Sequence, residues 1–210
     1  MAGSVPSIPV PRRPLDPVDR TRDWYEDDLG WATVPGGPGE PLRLVTGLRF
    51  DVLDVPAEAG AAALRRLGPG SPVALQGGRM RLLVAAGSAE ELPGLLDWLE
   101  WGTLPLDLTA LGPNGHMDAP PAPERGCAGT RPVLAPGRFD RPVQGAAVWL
   151  RPPEPGCEVE ASLPTLSAVG GVGGAPDLVR LVDTVATHCH RIRLRRACAG
   201  PSAAQPLAFS

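Results

Sequence analysis

No lysine occurs among the 210 residues, so all 20 basic side chains are arginines. Positive charge is carried only by planar guanidinium groups, which stay protonated and favour forked contacts with carboxylate or phosphate. Aromatic residues make up only 4% of the chain, which argues against a broad surface for stacking nucleic-acid bases. Trp24, Trp31, Trp98, Trp101 and Trp149 are expected to pack inside, where such large rings contribute most.

Long apolar runs are also missing: nowhere do about 18 uninterrupted apolar residues occur, the length that a membrane-spanning helix requires. The N-terminal stretch MAGSVPSIPVPRRPLDP has no apolar core of the kind a signal peptide carries. A soluble, cytoplasmic protein with no membrane partner is expected. The four cysteines, Cys127, Cys157, Cys189 and Cys198, form no CxxC pair, and reduced thiols are the default in that compartment. A basic excess is lacking as well, since the formal net charge is -3. No global field draws the molecule to a phosphate backbone, so nucleic-acid binding has to be local.

Glycine (26) and proline (27) are abundant instead. With the alanine and arginine content they reflect GC-rich codons, as in an actinobacterial genome. Residues 1–15 are proline-rich and aperiodic and read as a disordered arm, residues 16–200 as one domain, and 201–210 as a tail. Within the domain, DPVDRTRDWYEDDLGW predicts a modest helix with Trp24 and Leu29 facing inward. ATVPGGPGEPLRLVTG predicts two short strands around a turn, and LRFDVLDV is the strongest strand. PAEAGAAALRRLG has a helix signature, with Pro56 in its first turn and Gly68 as its stop. SPVALQ and RMRLLVAA flank the Gly77-Gly78 turn of a hairpin. SAEELPGLLDWLEWG predicts a helix capped by Ser88 with Glu91, and with Leu92, Leu95, Leu96 and Leu99 on one face. LDLTALGPNGHMD reads as strand, turn and strand, 125–145 as loops, AAVWLRPP as a strand, and APDLVRLVDTVATHCHRIRLRRACAG as a long amphipathic helix. Interleaved strands, hairpins and helices make the fold mixed α/β, or α+β.

The strings WATVPGG, LVTGLRFDVLDVP, GGRMRLLV, LDLTALGPNGHMDAPPA and AAVWLRPP, over residues 30–155, follow the order of one family. This stretch resembles the N-terminal domain of bifunctional DNA primase/polymerases, the Prim-Pol group of the archaeo-eukaryotic primase class. The resemblance implies a sheet resembling an RNA-recognition fold, a two-metal nucleotidyl-transfer site taking Mg2+ or Mn2+, and nucleotide and template DNA as ligands. It implies two carboxylates two residues apart on one strand, at Asp54 and Pro56, and a histidine in the hairpin at residues 77–81. A third carboxylate falls on Asp107. Proline supplies no side-chain oxygen, and the hairpin offers Arg79, Met80 and Arg81 instead. Asp51 lies three residues from Asp54, on the opposite face of a regular strand, and reaches the site only through a bulge.

Asp54 and Asp107 are therefore either residual ligands for one divalent ion, or structural carboxylates that cap the next helix or pair with arginine. Arg79 and Arg81 share a strand face and are competent to grip phosphate, or else form a solvated, salt-bridged edge. Gly112, Asn114 and Gly115 allow backbone to approach a ligand, or simply make a tight turn, and His116 beside them is a candidate catalytic group. His188, Cys189, His190 and Cys198 have zinc-competent atoms but diverge around a helix. Arg191, Arg193, Arg195 and Arg196 form a basic cluster at a helix C-terminus, a candidate contact for nucleic acid. Three readings follow: a degenerate Prim-Pol-like domain binding nucleotide, nucleic acid or a partner; an active primase/polymerase recruiting Asp51 or His116; and a protein-interaction module presenting the arm and the arginine-rich helix.

Overall fold

In the computed structural model the described residues are 17–37, 39–123, 145–156, 159–166 and 177–198. The expected arm, the tail, nearly all of the 125–145 stretch, Cys127 and Cys157 lie outside them. The described residues form a mixed α+β structure with two antiparallel sheets and four α-helices. Among them, no helix is long and apolar enough to cross a membrane.

The strand predicted most strongly is the second of five in the main sheet. β3 (Phe50–Pro56) pairs with β5 (Arg79–Ala85) on one side and β6 (Thr109–Leu111) on the other. β4 (Val73–Gln76) and β8 (Val148–Arg151) complete the order β6-β3-β5-β4-β8. Each residue of β3 from 50 to 56 faces one residue of β5, so no bulge interrupts the strand. Side chains alternate between faces, and each face meets a different layer.

Leu53, Val55, Met80, Leu82 and Val84 point to the helical layer. This comprises α2 (Ala57–Ala63), α3 (Ser88–Trp98) and α4 (Leu178–Cys198), which bury Ala59, Ala63, Leu92, Leu95, Leu181, Val182, Val185 and Ile192 against the sheet. Gly60 permits close packing of α2, because a Cβ there would collide with the Met80 side chain. Phe50, Val52, Ala74 and Leu83 point the other way. They meet a three-stranded sheet of β1 (Thr33–Val34), β2 (Arg43–Val45) and β7 (His116–Asp118), together with Trp24, Tyr25 and Trp31. Helix α1 (Pro17–Asp23) runs into a π-helical turn at Trp24–Asp28 that delivers two of these rings. Tyr25 donates its hydroxyl to the Pro120 carbonyl at 2.7 Å and accepts from the Trp149 indole at 3.0 Å.

Two local expectations, the Ser88 cap and a core position for Trp98, need correction. Ser88 does not cap α3 through its side chain: Gly87, at φ 91°, is the cap residue. Asp51 of β3 accepts the Ala89 N–H at 2.8 Å in its place. The strand, turn and strand expected at 107–118 are present as β6 and β7, with β6 in the main sheet and β7 in the small one. Trp98 is not in the core; it is 72% exposed, while Trp24 and Trp31 are buried as expected.

Candidate functional site

Register and face bring one predicted group together. Asp54 lies opposite Arg81 in β5 and Thr109 in β6, and Pro56 lies opposite Arg79. The two-residue alternation puts Asp54, Arg79 and Arg81 on the face away from the helices. Arg79 spans the group. Its Nε is 2.5 Å from Asp54 Oδ1, its Nη1 2.5 Å from Asp107 Oδ1, and its Nη2 donates to the Asp54 carbonyl at 2.9 Å. Arg81 Nε reaches Asp54 Oδ2 at 3.4 Å. From the C-terminal end of α4, Arg196 approaches Asp107 Oδ2 at 3.8 Å. Cys189 of the same helix donates its thiol to the Asp107 carbonyl at 3.5 Å.

The electrostatics of this cluster favour charged arginine. Burial works against the Arg79 charge, but bonds to Asp107 and Asp54 outweigh it and hold the guanidinium above its ordinary pKa. Burial pushes the Cys189 thiol up to about 11, so it stays protonated at neutral pH and is a poor nucleophile. Asp54 does not cap α2, whose N-terminal cap is Pro56 with no side-chain bond. Pairing with arginine is what this carboxylate does.

A divalent ion does not fit the residues as arranged. Magnesium needs hard oxygen donors around an octahedron. Here the inner oxygen of each carboxylate is bound by one guanidinium, Pro56 on the same strand face offers no side-chain oxygen, and Arg81 and Arg196 add positive charge. Among the described residues no group of three or more His, Cys, Asp or Glu side chains is placed to hold a metal.

Other predicted residues lie elsewhere. Asp51 sits on the helix side of an unbulged strand, fully buried, with Oδ1 lacking a hydrogen-bond partner among the described residues. Burial raises its pKa against the bonds from the Ala89 and Gly87 backbone. The alternative that Asp51 joins Asp54 through a bulge is therefore overturned. Gly112 follows Leu111, which faces Val52, so it is level with Asp51, about 10 Å along the strand from Asp54. Its carbonyl accepts from Gly115 N and Thr46 Oγ1, and the turn with Asn114 at φ 63° packs on the loop at Gly47. Gly112 and Gly115 thus belong to a turn apart from Arg79 and Arg81. His116 is exposed on β7 opposite Val45 and takes no part in the Asp54 ion pairs. His188 and His190 diverge as the helix requires, and His190 packs beside Trp101, ring centres 5.9 Å apart.

Sequence reasoning missed Arg196 as a member of the cluster, because nothing local to α4 signals a contact with Asp107. No family model matches the chain, and neither the curated proteins nor the solved structures give a match.

Proposed function

We propose that this chain is a Prim-Pol-like domain, built on a sheet resembling an RNA-recognition fold, that binds nucleotide or nucleic acid without joining nucleotides. One observation carries the proposal: Arg79 bridges Asp54 and Asp107, the two carboxylates that the resemblance assigns to the metal. The two-metal nucleotidyl transfer that the resemblance implies needs two cations between substrate oxygens and protein carboxylates. A tethered guanidinium neutralises those carboxylates but has no open coordination position, and so supplies neither a metal-bound nucleophile nor a Lewis acid. Arg81 and Arg196, beside the cluster, keep it attractive to an anion.

Template-primer extension with Mg2+ or Mn2+ tests the reading. No incorporation is expected, together with measurable binding of labelled nucleotide or oligonucleotide. Template-dependent incorporation that disappears in Asp54→Ala and Asp107→Ala would establish the active primase/polymerase instead.

A second reading, a protein-interaction module, is favoured by Trp98 at 72% exposure and Leu194 at 50%. Its mark is a partner protein whose binding is weakened by Trp98→Ala, with no affinity for nucleotide or nucleic acid.

A further inference from the structure

Thr184, His188, Arg191 and Arg195 recur at intervals of four, three and four along α4, which aligns them on one side of the helix. This side runs beside the 3-10 turn Leu64–Arg66 that ends α2. Arg66 donates through Nε to Thr184 Oγ1 at 3.4 Å, and Arg195 pairs with Glu58 of α2. The His188 pKa is lowered first by burial, then by the fields of Arg191, Arg195 and Arg65 against the opposing pull of Glu58. The Arg66–Thr184 and Arg195–Glu58 contacts bring the end of α2 and this side of α4 together. Arg65, Arg66, Arg191 and Arg195 are all exposed.

Four guanidiniums against the one carboxylate of Glu58 leave three net positive charges on this strip. Its α4 portion, residues 184–195, is about 16 Å long. The opposite sign collects elsewhere: Ser88–Trp98 and the residues just after it carry Glu90, Glu91, Asp97 and Glu100 with no basic side chain, whereas α4 has no acid after Asp183. A chain of net charge -3 thus presents a strongly cationic edge, which is sufficient for local steering of a polyanion.

We propose that this strip docks the phosphate backbone of duplex nucleic acid without reading its sequence. The inference rests on the nucleic-acid reading above and names the surface, which is separate from the Asp54–Asp107 cluster. Arg191 and Arg195 are one turn apart, about 6 Å of rise, a span that covers about two phosphates of one strand. Guanidinium forks match phosphate oxygens. None of Arg65, Arg66, Thr184, His188, Arg191 and Arg195 is a Trp, Tyr or Phe, so the strip lacks the broad aromatic platform on which successive unpaired bases stack. Nor is any of them apolar, and Leu194, exposed beside them on α4, is a single apolar side chain and not the apolar face by which a helix lies in a membrane.

The test is fluorescence anisotropy of the full chain with a labelled 20-base-pair duplex, the matching single strand, labelled nucleotide, and phosphatidylserine vesicles. Three neutralised phosphates predict a log-log salt slope near -2.7, or about 40-fold weaker binding at 200 mM than at 50 mM salt. Two sequences of equal length are expected to bind alike. Arg191→Glu with Arg195→Glu, and Arg65→Glu with Arg66→Glu, are each expected to abolish measurable binding; Arg20→Glu with Arg22→Glu on α1 is expected to leave it unchanged. Because the salt slope is read on the unmodified chain, the proposal can fail even if a variant misfolds. Duplex binding that survives both strip pairs, or that shows no salt dependence, overturns the strip and leaves the nucleic-acid reading standing. Binding to vesicles but not duplex overturns the strip in favour of a membrane face. Absence of binding to duplex, single strand and nucleotide overturns both.

Discussion

Replacing Arg79 by methionine removes the guanidinium that joins two carboxylates while keeping the aliphatic stem that lies along the sheet. Among the described residues Asp54 then retains only Arg81 Nε at 3.4 Å as an ion-pair partner, and Asp107 only Arg196 at 3.8 Å. Removing one partner from a buried pair costs about 3–5 kcal/mol, and an exposed pair contributes about 0–1 kcal/mol. The side chain of Asp54 is 14% exposed, that of Arg79 30% and that of Asp107 47%, so the site falls between these limits. Arg81 also keeps part of the compensation for Asp54. A net loss of about 2–3 kcal/mol follows, or about 5–10 °C in melting temperature for a chain of this size. The assay is urea and thermal unfolding of Arg79→Met, Asp54→Asn and the double variant. If Arg79 serves mainly to neutralise Asp54, the double variant is less destabilised than the two single losses added together, with a coupling of about 1 kcal/mol or more. Added Mn2+ should raise the melting temperature of Arg79→Met more than that of the unmodified chain, since the two carboxylates are released toward each other. A change below about 1 °C in Arg79→Met, with additive single variants, refutes the reasoning that the guanidinium stands in for a cation.

Other perturbations have equally definite outcomes. Asp51 has its pKa raised above the ordinary 3.8 in the folded state, so the native protein binds the extra proton and stability falls as pH rises from there through the folded-state value. Asp51→Asn keeps an acceptor for the Ala89 N–H but does not titrate. Its urea midpoint should lose that part of the pH slope, and identical slopes in the two proteins would contradict the assignment. Gly60→Ala should destabilise by about 1–2 kcal/mol in chemical denaturation: the clash with Met80 outweighs the gain of about 1 kcal/mol in helix propensity. An increase in stability would mean that α2 can lift off β5 freely. Tyr25→Phe leaves the Pro120 carbonyl and the Trp149 indole without their shared partner, a loss of about 1–3 kcal/mol, visible also as a change in tryptophan fluorescence.

Much of the site was legible before any coordinates. Period-two alternation alone places Asp51 and Asp54 on opposite faces, and the unbroken register of β3 keeps them there, one against α3 and one against arginine. Pro56 could be seen to lack an oxygen ligand. The strands at 50–56, 73–76 and 79–85 and the helices α3 and α4 announce themselves through patterns confined to a few residues. Local signals failed where a distant group competed. Ser88 and Glu91 have the spacing of a capping box, yet the cap residue is Gly87, and a carboxylate 38 residues before Ala89 takes the Ala89 N–H of the first turn.

The sequence by itself determined which side chains share a strand face or a helix stripe, because those periods are built into the backbone. Only the tertiary structure decided that β6 and β7 part company into two sheets, that Trp98 faces outward, and that α4 sends Arg196 to Asp107 and Arg195 to Glu58. The Arg79 bonds span 25 and 28 positions and the Arg195 bond 137. Neither propensity nor periodicity reaches across such separations. Packing of the helical layer on the sheet sets them, and with them whether the two carboxylates face a metal ion or an arginine.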